Sequence, residues 1–306
     1  MILAPIVLFV YNRPEHTKLT VEALQKNTLA EHSDLIIYSD APKKPEAEVT
    51  VLAVREYIRA IKGFKTVTVI EQKTNFGLAK SIIDGVTAVV NEFGKIIVLE
   101  DDLIVTPYFL DFMNSALNVY EKEDMVIQVS GYMFPVKMEL ENDALFLPLT
   151  TSWGWATWRR AWKLFDPSAK GYALVKEDLV LRKRFNLDGE YDYFSMLEDQ
   201  LAGQIDSWAI RWYLSTFLLG ALTLYPRQSL VINNGFDGSG THGDVGESIN
   251  RAVTHSRFNP ENFPQFIVIS SQWELVRPYV SGGKTMFSSL RKNFSRLLFR
   301  GKNICI

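Results

Sequence analysis

The first hundred residues of this 306-residue chain alternate short apolar runs with longer segments in which apolar residues recur at helical spacing. The apolar runs predict strands over residues 6–11, 35–38, 66–70 and 96–99. The segments between them predict helices over residues 15–25, 46–61 and 78–93. This alternation is typical of βαβ units, so the predicted fold class is α/β, a Rossmann-like, mostly parallel sheet flanked by helices.

Polar residues follow every predicted strand. In an α/β sheet, ligands bind beyond the carboxyl ends of the strands, so these positions are the candidate site. They are Asn12 and Arg13, Ser39 and Asp40, Asn75 with Phe76 and Gly77, and the acidic triplet Glu100, Asp101 and Asp102. If the backbone stays extended after residue 99, Glu100 and Asp102 share one side of the strand and Asp101 faces the other.

The acidic triplet needs a compensating charge. Two carboxylates about 5 Å apart repel by roughly 3 kcal/mol at an effective dielectric constant near 20. A hard divalent cation such as Mg²⁺ or Mn²⁺, held by few protein oxygens and by the phosphates of a nucleotide, would offset this repulsion. The alternative is a solvated strand end that carries three ordinary surface acids.

The second half of the chain has a different composition, since six of its seven tryptophans lie between positions 153 and 212. We therefore divide the chain into a first half (1–135), a second half (136–270) whose aromatic residues suit flat ligands, and a C-terminal tail (271–306). Charged, irregular sequence over 166–192 predicts helices and loops. The apolar stretch 213–226 is too short to cross a bilayer and predicts a buried helix that runs into a strand.

Composition excludes several classes of protein. A net charge of −2 argues against a nucleic-acid partner, and the single cysteine, Cys305, excludes an internal disulfide framework or a cysteine-based zinc site.

Two common nucleotide-binding motifs are absent. The segment after the first strand, YNRPEH, lacks the G-x-G-x-x-G fingerprint, and SGGKT lacks the first glycine of a P-loop because Pro278 occupies that position. The apolar N-terminus predicts a buried strand rather than a signal peptide, so a cytoplasmic location is expected.

The tail is basic and amphipathic. Residues 281–306 contain no acid, and apolar residues recur there at helical spacing. The basic residues of the tail are Lys284, Arg291, Lys292, Arg296, Arg300 and Lys302. The pattern favours peripheral contact with an anionic membrane through 284–302, and the alternative is packing on the protein's own core or on another subunit.

The chain resembles the GT-A class of nucleotide-sugar glycosyltransferases, particularly bacterial relatives of N-acetylglucosaminyltransferase I. The segments that carry this resemblance, in family order over residues 1 to about 245, are VLFVYNRPEHT, IIYSD, TNFGLAKSI, VLEDDL, TSWGWATWRRAW, IDSWAIRW and NGFDGSGTH. The resemblance implies a metal-dependent, inverting transfer of a sugar from a nucleotide sugar, with a UDP-sugar as the expected donor. The implied acceptor is a glycan or a lipid-linked glycan of a bacterial surface polysaccharide or lipooligosaccharide.

The same resemblance implies roles for particular residues. Asp102 would bind the Mn²⁺ or Mg²⁺ that bridges the donor diphosphate, and Asp101 and Glu100 would lie near the nucleotide sugar. Arg13 and Asp40 would contact the nucleoside. Lys80 would reach a phosphate, or else only cover the first turn of its helix. His242, in a glycine-rich segment, would be a second metal ligand or would contact the diphosphate or the acceptor.

The acceptor hydroxyl must lose its proton to a positioned carboxylate. Asp206 matches the place where the resembling enzymes carry their base, although Ser207 stands where the family can show a second acid. Glu198 and Asp199 are competing candidates, and Asp206 could instead cap a helix that begins at Trp208.

Aromatic residues of the second half could line the acceptor cleft. Trp153, Trp155 and Trp208 could stack on a sugar or form the floor of this cleft, and core packing is the alternative for these rings.

Two other functions remain open at this point. A nucleotidyltransferase would make rather than use a nucleotide sugar, but it would need a Gly-rich, Arg- or Lys-bearing signature after the first strand, which YNRPEH does not supply. A non-catalytic carbohydrate-binding protein could keep the same fold without turnover. Nucleoside diphosphate binding with and without Mn²⁺, compared with donor hydrolysis and transfer, separates these functions.

Overall fold

A computed structural model describes residues 2–235 and 258–281. The strands are Ile6–Val10 (β1), Asp34–Ser39 (β2), Thr66–Glu71 (β3), Lys95–Glu100 (β4), Leu103–Val105 (β5), Val126–Ser130 (β6), Ala144–Leu147 (β7), Trp155–Trp158 (β8), Leu222–Pro226 (β9) and Val231–Asn233 (β10). The α-helices are Pro14–Gln25 (α1), Glu48–Arg59 (α2), Leu78–Phe93 (α3), Phe109–Val119 (α4), Arg159–Trp162 (α5), Tyr172–Glu177 (α6), Leu179–Phe185 (α7), Tyr193–Leu201 (α8), Trp208–Leu218 (α9) and Trp273–Val276 (α10).

A central eight-stranded sheet organises the molecule, with strand order β3-β2-β1-β4-β8-β6-β9-β7. Strands β1 to β4 are mutually parallel where they pair, and β6 pairs with β9 in parallel. Strand β8 runs antiparallel to both of its neighbours, and β7 runs antiparallel to β9. This arrangement confirms the predicted α/β class with a mostly parallel sheet flanked by helices.

The elements predicted in the first hundred residues are all present. Helix α3 has the predicted bounds, with Gly77 before its first residue and Gly94, in a left-handed conformation, after its last. The other predicted strands and helices differ at their ends by one or two residues. The stretch 213–226 forms the end of α9 and the whole of β9, as predicted.

One expectation about the acidic triplet is wrong. The chain does not stay extended after Glu100 but turns at Asp101 and Asp102 and enters β5. Strand β5 pairs with β10 in a separate two-stranded sheet, so the turn is stabilised by a segment about 130 positions later in the chain. Because of the turn, Glu100, Asp101 and Asp102 do not alternate across a flat strand end.

A large apolar core lies on both faces of the central sheet, and a second cluster lies under α6 to α9. Strand β8, which comes from the second half of the sequence, lies between β4 and β6 from the first half. Its Trp155 stacks on Trp208 of α9 at 5.0 Å between ring centroids. The tryptophan-rich segments therefore join the two halves of the chain in one core.

Some predictions concern residues that the structure does not describe. His242 and residues 282–306 of the basic tail lie outside the described residues. Within the ranges 2–235 and 258–281, the helices are all too short or too polar to span a bilayer.

Candidate functional site

The carboxyl ends of β1, β2 and β4 lie side by side. In the sheet register Val10 is opposite Ser39, and Phe9 is opposite Glu100. Because these strands are parallel and adjacent, the residues that follow them meet at one edge of the sheet. This edge carries Arg13, Asp40 and the acidic triplet, as the sequence predicted for its strand ends.

Arg13 holds the two aspartates of the turn. Its Nη2 donates to Asp101 Oδ1 in a short contact and to Asp102 Oδ2 at 2.8 Å. Asp101 also accepts from the backbone N–H of Tyr11 at 3.4 Å, and its carbonyl accepts from the Thr20 hydroxyl at 2.8 Å. The guanidinium supplies one positive charge between two carboxylates, which offsets part of their repulsion.

The acidic triplet nevertheless remains under electrostatic strain. Burial raises the pKa of Asp101, although Arg13 opposes this. Burial, together with Asp102 and Asp101, raises the pKa of Glu100 to about 8. Burial alone would lower the pKa of Arg13, but the two aspartates outweigh it and raise the pKa. Near neutral pH, Glu100 is therefore largely protonated, and Arg13 is left to balance the two aspartates.

The residues around Asp102 fit a divalent cation. Even with Glu100 protonated, two aspartates against one guanidinium leave negative charge uncompensated, and carboxylate oxygens are the ligands that Mg²⁺ and Mn²⁺ prefer. A Cβ added at Gly235 would overlap Asp102 Oδ2, so the absence of a side chain at 235 preserves space at this carboxylate. In the described part of the chain no group of three His, Cys, Asp or Glu side chains could hold a metal. These residues therefore fit a cation site in which the protein supplies one or two ligands and phosphate oxygens supply the others.

The sequence singled out the glycine-rich segment that begins near Asn233, but it did not predict the contact of this segment with Asp102. The carbonyl of Asp102 accepts from Asn234 N at 2.8 Å, and Asn233 Oδ1 accepts from Gly235 N at 2.7 Å. His16 Nε2 lies 3.2 Å from the carbonyl of Asn234. The pairing of β5 with β10 brings these residues together, and only the glycine-rich character of the segment gave a signal in the sequence.

Asp40 organises a loop rather than standing open at its strand end. It is 8% exposed. Its carboxylate accepts from the backbone N–H groups of Ala41, Phe76 and Gly77, each at 2.9 Å for the closer oxygen, and from Asn75 Nδ2 at 3.0 Å. These bonds fix residues 75–77, the connection from β3 to α3.

Arg55 of α2 holds the strand ends beneath Asp40. Its Nη2 donates to the carbonyls of Gln72 at 2.8 Å, Asp40 at 3.3 Å and Ser39 at 3.5 Å. The carboxylate of Glu71 lies 3.6 Å from Nη1. One guanidinium thus ties the carboxyl ends of β2 and β3 together, a role that the sequence did not reveal.

Asp206 from the second half reaches the same loop. Its Oδ2 accepts from the N–H of Ala79 at 3.2 Å, in the first turn of α3. The same oxygen would lie 3.1 Å from a Cβ at Gly77. The predicted alternative, that Asp206 caps the helix beginning at Trp208, is wrong because Ser207 accepts from Ile210 N there. Asp206 caps α3 instead, and this places it beside the loop that Asp40 holds.

The competing carboxylates and Lys80 have other contacts. Glu198 Oε1, on α8, accepts from the Tyr172 hydroxyl at 2.9 Å, and Asp199 lies next to it on the same helix. Lys80 forms an ion pair with Asp84 one turn along α3, and its Nζ lies 4.9 Å from the Phe76 ring centre. Within the described ranges, neither Lys80 nor this pair of carboxylates forms a hydrogen bond or an ion pair with the turn at 101–102.

The expected tryptophan platform is only partly available. Trp155 and Trp208 are 1% and 3% exposed and stack on each other. Contrary to the expectation from the sequence, neither ring has an open face on which a sugar could stack. Core packing between the sheet and α9 is the physical reason for this correction. Trp153 is only half-buried and meets the Tyr132 ring edge-on at 4.5 Å.

An open cavity of about 390 Å³ lies beyond the ends of β1 and β2. It is lined by Tyr11, Asn12, Lys43, Lys44, Glu46, Ala47 and Thr50. The Tyr11 hydroxyl accepts from the backbone N–H of Lys43 at 2.9 Å, which fixes the ring against the loop. An aromatic ring with two lysines suits a flat ligand that carries phosphate, and the two lysines were not singled out from the sequence.

No family model and no curated protein matches this sequence. Solved structures match at low similarity. S. aureus TarS 1–349 is 11% identical, with 53% of this chain and 48% of that chain covered and a TM-score of 0.35. Mannosyltransferase PcManGT from Pyrobaculum calidifontis, in complex with GDP-Man and Mn²⁺, is 12% identical over 71% of this chain and 74% of that one, with a TM-score of 0.37. A UDP-glucose pyrophosphorylase complexed with UDP-glucose is 12% identical over 53% and 79%, with a TM-score of 0.32. The match spans about half the length of the S. aureus TarS 1–349 chain.

Proposed function

We propose that this chain is a metal-dependent, inverting glycosyltransferase of the GT-A class. It moves a hexosyl or N-acetylhexosaminyl group from a nucleotide sugar to a glycan or lipid-linked acceptor in bacterial surface polysaccharide or lipooligosaccharide synthesis, at the cytoplasmic face of the membrane. The observation that carries the proposal is the meeting of three carboxylate groups at one sheet edge. The Arg13-bound turn at 101–102 accepts from the N–H of Tyr11, which lines the open cavity. Asp40, at the end of β2, and Asp206, from the second half of the chain, both hold the start of α3.

The donor would bind across the ends of β1 and β2. Tyr11 and the lysines at 43 and 44 line the cavity there, and their ring and charges suit a nucleoside diphosphate. We take a UDP-sugar as the donor. Arg13 would then lie between the nucleotide and the carboxylate turn, and Asp40 would act by holding residues 75–77 in place.

Asp102 is the residue that we propose to hold Mn²⁺ or Mg²⁺, with His242 as a second ligand or a phosphate contact. When bound there, the cation would stabilise the negative charge that develops on the departing diphosphate. Arg13 keeps the Asp102 carboxylate oriented, since its Nη2 donates to Oδ2 at 2.8 Å.

Asp206 is the proposed base. The acceptor hydroxyl oxygen forms a bond to the anomeric carbon, the bond from that carbon to the diphosphate oxygen breaks, and the hydroxyl proton passes to Asp206. The Ala79 N–H holds Oδ2, so we assign the proton to Oδ1. The nucleoside diphosphate leaves with the bonding electron pair.

A donor panel tests this function through release of free nucleoside diphosphate. Asp206→Asn can still accept from the Ala79 N–H, so it removes the base while keeping the cap. We expect it to lower transfer by on the order of 10²- to 10⁴-fold while nucleotide binding persists. Asp102→Asn should abolish the Mn²⁺-enhanced binding of nucleoside diphosphate in calorimetry. Asp199→Asn, on α8, tests the competing candidate and should leave transfer unchanged if Asp206 is the base.

The other possible outcomes point either to a different base or to a different function. Unchanged turnover in Asp206→Asn would remove that residue as the base. Release of pyrophosphate, with formation of a nucleotide sugar, would identify a nucleotidyltransferase. Metal-enhanced nucleotide binding without hydrolysis or transfer across the panel would identify a carbohydrate-binding protein.

A further inference from the structure

Large apolar side chains are exposed where α6 meets α7, a region that we call the α6–α7 corner (residues 172–185). Leu174, Leu179 and Val180 are 61%, 68% and 72% exposed. The corner is ordered by Asp178, whose Oδ1 accepts from the N–H groups of Val180 and Leu181 and whose N–H donates to the Leu174 carbonyl. The apolar side chains are therefore held at the surface by a capped turn.

Basic residues surround these apolar side chains. Residues 172–185 contain four Lys or Arg and two Asp or Glu, although the whole protein carries a net charge of −2. One of the two acids, Asp178, accepts hydrogen bonds from the backbone N–H groups of Val180 and Leu181. On α7, Val180, Lys183 and Arg184 stand at positions i, i+3 and i+4 and share one exposed face. The corner is thus locally cationic and apolar.

An apolar crevice of about 170 Å³ adjoins the start of α6. It is lined by Leu164, Asp166, Ala169, Gly171, Leu214, Ser215, Leu218 and Leu219. A side chain at Gly171 would overlap Leu218, so the crevice depends on close approach of the backbone there. Leu164 and Leu219 at its rim are each nearly half exposed, which extends the apolar surface beyond the corner.

We propose that the α6–α7 corner docks on an anionic bilayer surface. Leu174, Leu179 and Val180 enter the headgroup region, and Lys176, Lys183 and Arg184 contact lipid phosphates. The positive charge of the corner favours an anionic membrane over a second copy of this chain as its partner. In a symmetric pair of chains the two cationic corners would face each other and repel, whereas an anionic leaflet attracts both.

Docking at the corner is separate from the proposed activity and from the tail at 284–302. One consequence rests on the proposed function: α7 and α8 pack in the same apolar cluster as α9, which begins two residues after Asp206. A docked corner would therefore hold the proposed base at a fixed distance from a membrane-borne acceptor.

Sedimentation of the full chain with vesicles of phosphatidylcholine and phosphatidylglycerol (7:3) tests the proposal. We expect the triple variant Leu174→Ser, Leu179→Ser, Val180→Ser to bind at least tenfold more weakly than the unmodified chain. Lys183→Gln with Arg184→Gln should weaken binding about fivefold per residue. The control pair Val49→Ser and Leu52→Ser, on α2, removes side chains that are 77% and 54% exposed and should not change binding. Circular dichroism confirms folding of every variant.

Four results would overturn the proposal. The corner variants could bind vesicles as the unmodified chain does, or the unmodified chain could fail to bind at all. Binding could be lost only in Arg291→Gln, Lys292→Gln, Arg296→Gln, which would assign it to the tail. A change from dimer to monomer in the corner variants, measured by light scattering, would make the corner a subunit interface.

Discussion

Glu100 lies one residue before the turn that carries Asp101 and Asp102, and burial beside them raises its pKa from 4.5 to about 8. The folded state therefore holds this proton more tightly than the unfolded chain does. The stability that protonated Glu100 contributes is fully present below about pH 4.5 and is lost as the pH rises through about 8. We expect the metal-free protein to lose about 1–3 kcal/mol from this group between pH 5 and 8, measured by urea unfolding.

Glu100→Gln isolates that contribution. The variant keeps the shape of the side chain but cannot ionise, so its unfolding free energy should fall less between pH 5 and 8 than that of the unmodified chain. Glu92→Gln, on the exposed end of α3, is the control and should follow the unmodified profile. Parallel profiles for Glu100→Gln and the unmodified chain would assign the pH dependence to other groups.

Gly77 adopts φ = 76° and ψ = 170°, a region that is open essentially to glycine. Gly77→Ala should destabilise the fold by about 1–3 kcal/mol and push Asp206 away from the first turn of α3. Gly94→Ala is the matched control, because its φ is 82° but nothing lies within 4 Å of the added carbon. Both variants should show a lower Tm, whereas only Gly77→Ala should also lower kcat in the transfer assay. Equal kcat in both would separate Asp206 from the chemistry.

At the scale of elements, α2 fixes the ends of β2 and β3 through Arg55. Arg55→Lys keeps the charge but loses the planar fork that reaches three carbonyls. We expect it to cost about 1–3 kcal/mol of stability and to weaken nucleoside diphosphate binding, because the Asp40 loop rests on these strand ends. Calorimetry and thermal unfolding measure both effects.

Arg59 provides the comparison on the same helix. It pairs with Glu71 at the surface and is 59% exposed, so Arg59→Lys should change neither stability nor binding appreciably. If the two variants behaved alike, the effect would come from replacing Arg by Lys anywhere on α2 and not from the three carbonyls that Arg55 holds.

Local patterns were sufficient to predict the elements of the first hundred residues, since strand and helix periodicity is visible within each segment. They could not reveal the turn after Glu100, because it depends on pairing between β5 and β10. Nor could they place Asp206 on α3, a contact between residues 127 positions apart. Burial of Trp155 and Trp208 likewise follows from packing across the sheet, whereas a tryptophan in a sequence is equally compatible with a ligand site.

At the scale of the whole molecule, β8 joins the two halves of the chain. It pairs with β4 and with β6, and its Trp155 is buried against Trp208. Trp155→Ala should lower the unfolding free energy by about 3–5 kcal/mol. We also expect a single calorimetric transition in the unmodified chain, coincident with loss of nucleotide binding. Two transitions would show that the halves unfold as separate units.

The insertion of β8 also limits how this protein can be divided. A polypeptide that stops at residue 135 contains β4 and β6 but not the strand that lies between them. Each would then offer an unpaired edge to other chains, and aggregation is the expected fate of such a product. Co-expression with residues 136–306 would supply the missing strand in trans, so the two pieces should assemble as complementing fragments and not as independent modules.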